Sequence, residues 1–472
     1  MIFTSHYESF GNSLFAAGLL IIFFVVILLA FHFWTSYKPL KAADNYWRSP
    51  TMIRKQRLRR VMFVFACVVH SIFSLGVAFA GPLEVASDAY DRGDYVAAVK
   101  TYQSLAARGN AEAQYNLGVM YANGQGVPKN YAEAVKWYRL SAAQRNPDAQ
   151  FNLGGKYLLG QGIAQDKQEG LKWIRMAASS GHARAQVTLG AMYEEGKVVS
   201  QDYRTALKLY SQSAKQGNSD AQMKLGLMYF HGYGRVQNYQ EAIKWIQLSV
   251  AQGNAEAQFN LGKMYIMGDG VKHSFTEALK LFRLSADQRF PDAQYYIGSM
   301  YMDGLGVAQD YTEAAKWYRL AAEQGHARAQ HNLGSMYFDG KGVAQDYSEA
   351  YKWIRQAAMQ GEAYAQTDIG VMYYSGKGTK KNYDEALKWY RLAAAQGNEA
   401  AQSNLGGMYF KGHAVATNYV RALMWSILGA ASGDEGAVRT RNDVEKKMTP
   451  QQISESKQMA RECKLRAFKG CD

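Results

Sequence analysis

Apolar and small residues recur at helical spacing along most of the chain, and residues 109–144 show the pattern in its shortest form. One apolar set is spaced four residues apart: Ala113, Leu117 and Tyr121. A second set follows after a gap: Ala134, Trp137, Tyr138 and Ala142. The spacing predicts one helix over residues 111–122 and another over residues 131–144. Gly124 and Pro128 lie between them, where Gly favours the end of a helix and Pro cannot continue one.

This pattern returns every 36 residues without an insertion or a deletion. The clearest column is a glycine, at positions 118, 154, 190, 226, 262, 298, 334, 370 and 406. A tyrosine recurs as strictly from Tyr121 to Tyr409, and the column of Trp137 contains seven Trp and two Leu. A fixed period of this length predicts an all-α solenoid of nine repeats, in which each unit buries its apolar face against its neighbours.

The shared motif is A-x-A-Q-x-x-L-G-x-M-Y-x-x-G-x-G-V, followed by Y-x-x-A-x-x-W. It resembles the Sel-1-like repeat, a relative of the tetratricopeptide repeat, and the resemblance covers residues 109–431. The resemblance implies antiparallel helix pairs stacked into a right-handed superhelix, in a family whose members act mainly as scaffolds or adaptors. Bacterial members are often exported. Residues 89–95 are closer to the tetratricopeptide form, and residues 81–108 are predicted to be the N-terminal capping helix pair.

Residues 432–472 are predicted to close the other end of the array. Thr449 offers a helix N-cap and Pro450 suits the first helical position, so a terminal helix is expected over residues 451–466. A solenoid needs such a cap because its last repeat would otherwise expose its packing face. Cys463 and Cys471 are expected to form a disulfide in an oxidising compartment, and two free thiols are the alternative.

The first 80 residues predict export or membrane anchoring. An apolar stretch over residues 14–34 is long enough to span a bilayer, and the basic loop over residues 38–60 is predicted to be cytoplasmic. Residues 61–80 form a second apolar run that ends in Ala-Phe-Ala, as a secretory signal does. The region is therefore either a two-helix membrane anchor or a cleaved export signal. Both interpretations place the array outside the cytoplasm, in the periplasm or beyond it.

The net charge and the absence of catalytic motifs restrict the classes of function that the sequence allows. The chain carries a formal net charge of +14, of which the first 80 residues contribute +6, and the remaining +8 favours anionic partners only weakly. Glycine pairs such as Gly124 and Gly126 follow helices, which is the wrong context for a phosphate loop. The sequence shows no H-E-x-x-H motif, no Cys/His cluster and no G-x-S-x-G motif. No catalysis, cofactor, metal ion or nucleic acid is predicted.

Two columns of the first helix are the candidate binding residues. In tetratricopeptide relatives the first helix lines the concave groove, and an Asn two residues before the motif glycine can hold a peptide there. The resemblance carries that role to Asn116, Asn152, Asn260, Asn332 and Asn404, with Tyr296 in the same column. The preceding column adds Tyr115, Phe151, Phe259, Tyr295 and His331. Structural amides and packing between repeats are the alternative interpretations of the two columns.

These features predict a non-enzymatic scaffold that binds a protein or peptide along its concave face. The alternatives are a cell-envelope regulator that engages peptidoglycan, a hydrolase acting on cell-wall or β-lactam substrates, and a surface factor that contacts host proteins. A cysteine-rich branch of the family is linked to β-lactam binding, but this chain lacks the cysteines of that branch. Membrane contact is expected only through the N-terminal apolar segments.

Overall fold

A computed structural model of the chain describes residues 81–433 and 435–472. The predicted apolar segments and basic loop of residues 1–80 lie outside the described residues. Residues Pro82–Asp472 form one compact unit. The described residues contain 22 α-helices and one 3₁₀ turn and no strand. The predicted all-α solenoid of nine helix pairs is confirmed.

The helices follow one another as antiparallel neighbours along the unit. Two precede the array: α1 (Pro82–Asp91) and α2 (Tyr95–Ala107). Nine pairs follow, each formed by a helix A and a helix B: α3 (Ala111–Asn123) with α4 (Tyr131–Ala143), α5 (Pro147–Leu159) with α6 (Lys167–Ser179), α7 (Ala183–Glu195) with α8 (Tyr203–Lys215), α9 (Ser219–His231) with α10 (Tyr239–Ala251), α11 (Ala255–Met267) with α12 (Phe275–Asp287), α13 (Pro291–Asp303) with α14 (Tyr311–Glu323), α15 (Ala327–Asp339) with α16 (Tyr347–Met359), α17 (Ala363–Ser375) with α18 (Tyr383–Ala394), and α19 (Glu399–Lys411) with α20 (Tyr419–Gly429). The chain continues through a 3₁₀ turn (Ala430–Ser432), α21 (Glu435–Glu445) and α22 (Pro450–Leu465).

Local chemistry sets the ends of each helix. In the first repeat the Asn110 side chain accepts a hydrogen bond from the Ala113 amide at 2.8 Å, which satisfies one of the free amides at the start of helix A. Helix A ends at Gly124, whose φ of 78° is the left-handed conformation that Gly adopts without strain. Asn130 then caps helix B by accepting from two amides. The observed ends lie within one residue of the predicted ones.

The motif glycine is the point of closest approach between helices A and B of a repeat. A β-carbon added at Gly118 would lie 2.7 Å from the ring of Tyr138 on helix B. The same construction in the other eight repeats gives 2.5–2.8 Å to the corresponding side chain of helix B. Any side chain larger than hydrogen would therefore force the two helices apart.

The hydrophobic core is a series of separate clusters and not one continuous mass. A typical cluster joins helix B of one repeat to helix A of the next: Ala134, Val135, Tyr138 and Ala142 pack with Ala149 and Leu153. Since a typical cluster joins two neighbouring repeats, stability is shared between neighbours, and at the two ends the cap helices complete the clusters. At the C-terminal end, Leu423 of α20 packs in one cluster with Val444 of α21 and Cys463 of α22.

A buried glutamine in the A-x-A-Q motif ties three helices together. Gln114 donates through Nε2 to the carbonyl oxygen of Ala106 on the preceding helix, at 3.1 Å. Its Oε1 accepts from Nε2 of Gln144 at the end of helix B, at 2.7 Å. Seven repeats contain this Gln–Gln bond at 2.7–3.0 Å. In the second repeat Ser180 replaces the second Gln, and Oε1 of Gln150 is buried without a partner among the described residues.

The tryptophan column contributes volume and not polarity. Six of its indole nitrogens are buried without a hydrogen-bond partner among the described residues: those of Trp137, Trp173, Trp245, Trp353, Trp389 and Trp425. A buried hydrogen-bond donor without an acceptor normally costs about 1–3 kcal/mol. If the indole N–H groups had a polar role, we would therefore expect an acceptor beside each of them. Leu209 and Leu281 fill the same position in two repeats, which agrees with packing as the reason for the column.

The C-terminal cap contains one predicted helix and one that was not predicted. Thr449 and Gln452 form a reciprocal capping box at the start of α22, where the terminal helix was expected. The short helix α21 has no strong apolar period and was missed. Cys463 and Cys471 are joined by a disulfide, with their α-carbons 5.4 Å apart.

Two adjacent glycines of α5 test the helix contact. Gly154→Ala would place a β-carbon 2.8 Å from Ile174 Cδ1 and 3.0 Å from the Gly170 carbonyl oxygen. We expect this change to destabilise the protein by about 1–3 kcal/mol through overpacking. Gly155→Ala meets nothing within 4 Å and should stabilise the helix by up to about 1 kcal/mol. Thermal unfolding followed by circular dichroism measures both, and equal midpoints would contradict the contact.

The missing glutamine bond of the second repeat can be restored. We expect Ser180→Gln to raise the free energy of unfolding by about 0.5–1.5 kcal/mol, because Gln150 Oε1 gains a donor. The reverse change in the third repeat, Gln216→Ser, removes a bond of 2.9 Å to Gln186 and should destabilise the protein. Urea titration of both variants tests the pair. A destabilised Ser180→Gln protein would show that the second repeat does not tolerate the bridge.

Candidate functional site

Packing leaves one face of helix A free in every repeat. In the first repeat this face contains Glu112, Asn116, Val119 and Asn123, spaced four, three and four residues apart. We call these four positions, together with their counterparts at each later step of 36 residues, the variable ridge. In the first repeat all four are exposed or half-buried, whereas Ala113, Gln114, Leu117 and Gly118 on the other faces are buried. The ridge is the part of helix A that can meet a partner.

The ridge changes from repeat to repeat while the packed positions hardly change. The Val119 position is Gly155, Ala191, Leu227, Lys263, Ser299, Ser335, Val371 and Gly407 in the later repeats. The buried Gln114 position is Gln in all nine. A constant frame therefore presents a different set of side chains at each step.

The aromatic candidate column packs between repeats. The Phe151 ring lies 5.0 Å from the ring of His182, which caps the next helix A. Tyr295 lies 4.7 Å from His326 at the corresponding position. Tyr115 contacts Tyr138 of its own repeat at 6.2 Å. The Phe151 and Tyr295 rings thus lie against the turn that begins the next repeat, and Tyr115, Phe151 and Tyr295 are half-buried.

Three candidate residues meet in a cavity of about 340 Å³ that spans repeats five to seven. Phe259 and Tyr296 have ring centres 5.4 Å apart, and Tyr295 lies 5.6 Å from Tyr296. Lys263 and Arg328 line the same cavity. The other lining residues are Asp292, His326 and Ala327. An aromatic floor with charged groups at its edge suits a protein side chain that has an apolar body and a polar end.

A second cavity of about 250 Å³ lies farther along the ridge, at repeats seven and eight. Its lining residues are Ser335, Phe338, Asp339, Ile354, Asp368, Val371 and Met372. The candidate His331 contacts it indirectly, because its Nε2 lies 2.7 Å from Oδ2 of Asp368. Ridge positions contribute to both cavities: Lys263, Asp292, Tyr296 and Arg328 to the first, and Ser335, Asp339, Asp368 and Val371 to the second.

The asparagine candidates are half-buried, and three have a partner within the protein. Asn260 donates through Nδ2 to the carbonyl oxygen of Glu256 at 2.8 Å. Asn152 and Asn332 oppose the rise that burial causes in the pKa of Tyr138 and Tyr318, respectively. Burial raises the pKa of Tyr318 to about 12, so this hydroxyl stays protonated. Asn116 and Asn404 occupy the same position at the two ends of the array.

Two histidines at the same position of their repeats, His182 and His326, are helix caps. Nδ1 of His182 accepts from the Ala185 amide at 3.0 Å, and Nδ1 of His326 accepts from the Ala329 amide at 3.1 Å. Asn fills this position in five of the nine repeats, so the preference for small polar caps was a usable signal.

The described part of the chain has no group of three or more His, Cys, Asp or Glu side chains arranged to hold a metal ion. None of the helices within residues 81–433 and 435–472 combines the length and the apolar character needed to cross a membrane.

Comparison with known families identifies the repeat. The Sel1 repeat model matches nine consecutive segments of 36 residues, from residue 111 to residue 434. The match begins at helix A of the first pair and includes all nine pairs. No curated protein matches the chain at a significant level.

Solved structures include two repeat proteins that are similar to this chain in sequence. A protective antigen of uropathogenic Escherichia coli with an SLR fold is 32% identical over 84% of this chain and 96% of that chain, with a TM-score of 0.49. A Sel1 repeat protein from Oxalobacter formigenes is 32% identical over 66% of this chain and 89% of that chain, with a TM-score of 0.47. Yeast Tom70 is 12% identical over 82% and 95% of the two chains, with a TM-score of 0.31.

The histidine cap of α15 should make stability depend on pH. Burial lowers the pKa of His326, and Asp292 opposes the shift only in part. As the pH falls below about 6.5, the unfolded chain takes up a proton that the folded protein resists, so stability should decrease. His326→Asn keeps a cap of the kind found in other repeats and removes the titration. We expect the thermal midpoint of the variant to fall less between pH 7.5 and 5.5. If the thermal midpoints of the two proteins fell equally between these pH values, His326 would not be the source of the pH dependence.

Proposed function

The chain belongs to the Sel1 repeat family, and from that premise we propose that it is a non-enzymatic scaffold that binds a protein or peptide partner along the variable ridge. Solenoids of this kind are typical protein–protein interaction scaffolds. The proposal includes the orientation expected from the tetratricopeptide relatives, in which helices A line the concave face.

One observation carries the proposal: the side chains of the ridge differ from repeat to repeat, while the packed positions beneath them hardly change. Packing accounts for the glycine, alanine, glutamine and tryptophan columns, so their constancy needs no ligand. The ridge positions form no such constant packing column, although Val119, Leu227 and Tyr296 lie partly against the core. The ridge contains exposed apolar side chains that a folded protein gains nothing by exposing, since Leu159, Met267 and Tyr364 are 65–67% exposed. Exposed apolar groups beside polar ones are typical of recognition surfaces.

The cavity at repeats five to seven is the anchor that the proposal assigns to the ridge. Tyr295 and Tyr296 lie in its wall, and Phe259 is 8% exposed beneath them. Aromatic side chains supply large contact area at small entropic cost, and Lys263 and Arg328 add charge that orients a partner. A partner that spans several repeats would place one side chain in this cavity and extend along the ridge in both directions.

The location of the array outside the cytoplasm is part of the proposal. The basic and apolar pattern of residues 1–80 supports it, as does the pairing of Cys463 with Cys471, since disulfides persist mainly in oxidising compartments.

A matched pair of charge reversals tests the ridge. Lys263→Glu with Arg328→Glu inverts the charge at the cavity edge. Lys208→Glu with Lys215→Glu makes the same change on the exposed face of helix B in the third repeat. Partners captured from envelope extract by the unchanged protein are identified by quantitative mass spectrometry and their affinity is then measured. We expect the ridge variant to lose at least about tenfold in affinity, equal to about 1.4 kcal/mol, and the helix B variant to lose little.

Asn116, Asn260 and Asn332 changed together to Ala test the amide column separately, because this change leaves the cavity charges in place. Equal partner affinity for the unchanged protein and for the cavity variant would refute the ridge as the binding surface. Loss of binding in the helix B variant alone would move the surface to the other face of the solenoid.

A further inference from the structure

The C-terminal tail folds back onto the last two repeats. After α22 the backbone takes the left-handed conformation at Ala467, Phe468 and Gly470, with φ values of 48°, 65° and 63°. Left-handed φ values are costly for residues other than Gly, so other contacts must hold this turn. The disulfide joins Cys471 to Cys463 of α22, and the Phe468 ring packs against Gly397 in the turn before α19.

These contacts bring the Asp472 side chain to a pair of arginines on helices B. Its Oδ2 accepts from Nε of Arg391 on α18. Its Oδ1 accepts from the Tyr409 hydroxyl of α19 and from Nη1 of Arg421 on α20, the latter at 3.4 Å. The Asp472 side chain is 19% exposed, whereas those of Arg391 and Arg421 are 43% and 36% exposed. Three donors from three helices therefore enclose one carboxylate.

The repeat itself shows why a carboxylate is needed there. In seven repeats the position of Arg421 is a glutamate that pairs with a lysine three residues later: Glu133, Glu169, Glu241, Glu277, Glu313, Glu349 and Glu385. The third repeat has Thr205. Only the ninth has an arginine, which donates to Tyr409 at 3.3 Å beside the donation from Arg391 at 3.2 Å. The ninth repeat has thus exchanged its own carboxylate for a second cation.

We propose that Arg391, Tyr409 and Arg421 form a binding site for an aspartate side chain of a protein partner, and that Asp472 is the internal ligand that fills this site until the partner displaces it. Two guanidinium groups and a hydroxyl give charge-assisted bonds to a carboxylate. The internal ligand arrives on a turn with two unfavourable backbone conformations, so an unstrained peptide has an advantage in competing with it. The site lies on α18, α19 and α20 and uses no position of the variable ridge.

A peptide that copies residues 466–472 with Ser at position 471, acetylated and amidated so that only side chains offer a carboxylate, is the probe. The test protein is the full chain with Cys463→Ala, Cys471→Ala and Asp472→Ala, in which we expect the tail to be released and in which residues 466–472 have no side-chain carboxylate. We expect fluorescence anisotropy to show binding to this variant at least tenfold tighter than to the unchanged protein. A peptide with Asn in place of the Asp should bind at least tenfold more weakly. Equal binding of the two peptides would overturn the proposal.

Arg421→Glu is the matched control, because seven other repeats carry Glu at this position and fold with it. Added to the released-tail variant, it should abolish peptide binding while the circular dichroism spectrum is unchanged. In the otherwise unchanged chain, Arg421→Glu should repel Asp472 and so expose the disulfide between Cys463 and Cys471. We expect dithiothreitol to reduce this disulfide at least fivefold faster than in the control variant Glu455→Gln, which changes an exposed residue. An unaltered reduction rate would count against the docking of the tail through Asp472, even if the released-tail variant failed to fold.

Discussion

The contact between the motif glycine of helix A and the side chain that faces it on helix B sets the geometry of the whole array. Because Gly118 has no β-carbon, the ring of Tyr138 lies directly on the backbone of the facing helix. That approach fixes the distance between the two helices, and the buried glutamines then fix their position relative to the preceding pair. The same geometry recurs nine times, which explains why a period of 36 residues runs through the array without an insertion.

The close packing of the repeats determines which residues can differ from one repeat to the next. Residues on the inner faces of helices A and B are constrained by close packing, and the turns are constrained by caps and left-handed glycines. Only the ridge on helix A, the outer face of helix B and the two ends are free to change. Recognition in this protein is therefore a matter of a few side chains on each helix, and the aromatic cavity around Tyr295 and Tyr296 arises where neighbouring repeats place large residues side by side.

Local features were predictable from the sequence, and distant partners were not. Helix ends follow from Gly, Pro and Asn signals within a few residues, so their limits were predicted closely. The glutamine bridge joins Gln114 to Gln144 across 30 residues, and Asp472 reaches Arg391 across 81 residues. Periodicity says nothing about such pairs. The sequence allows two roles for the aromatic column, and the structure shows that Phe151 and Tyr295 pack between repeats. Helix α21 lacks an apolar period, and only its contacts with α19 and α20 reveal why it forms.

The serial core has a consequence for how such a chain changes its length. A typical cluster joins helix B of one repeat to helix A of the next, and neighbouring junctions are nearly alike in sequence and packing. An unequal genetic crossover between two repeats would therefore remove or duplicate a whole number of units and recreate a junction of the existing kind. The two ends would be untouched. Array length can thus vary in evolution in steps of one helix pair, and the reach of the ridge can vary with it, without any new interface having to be invented.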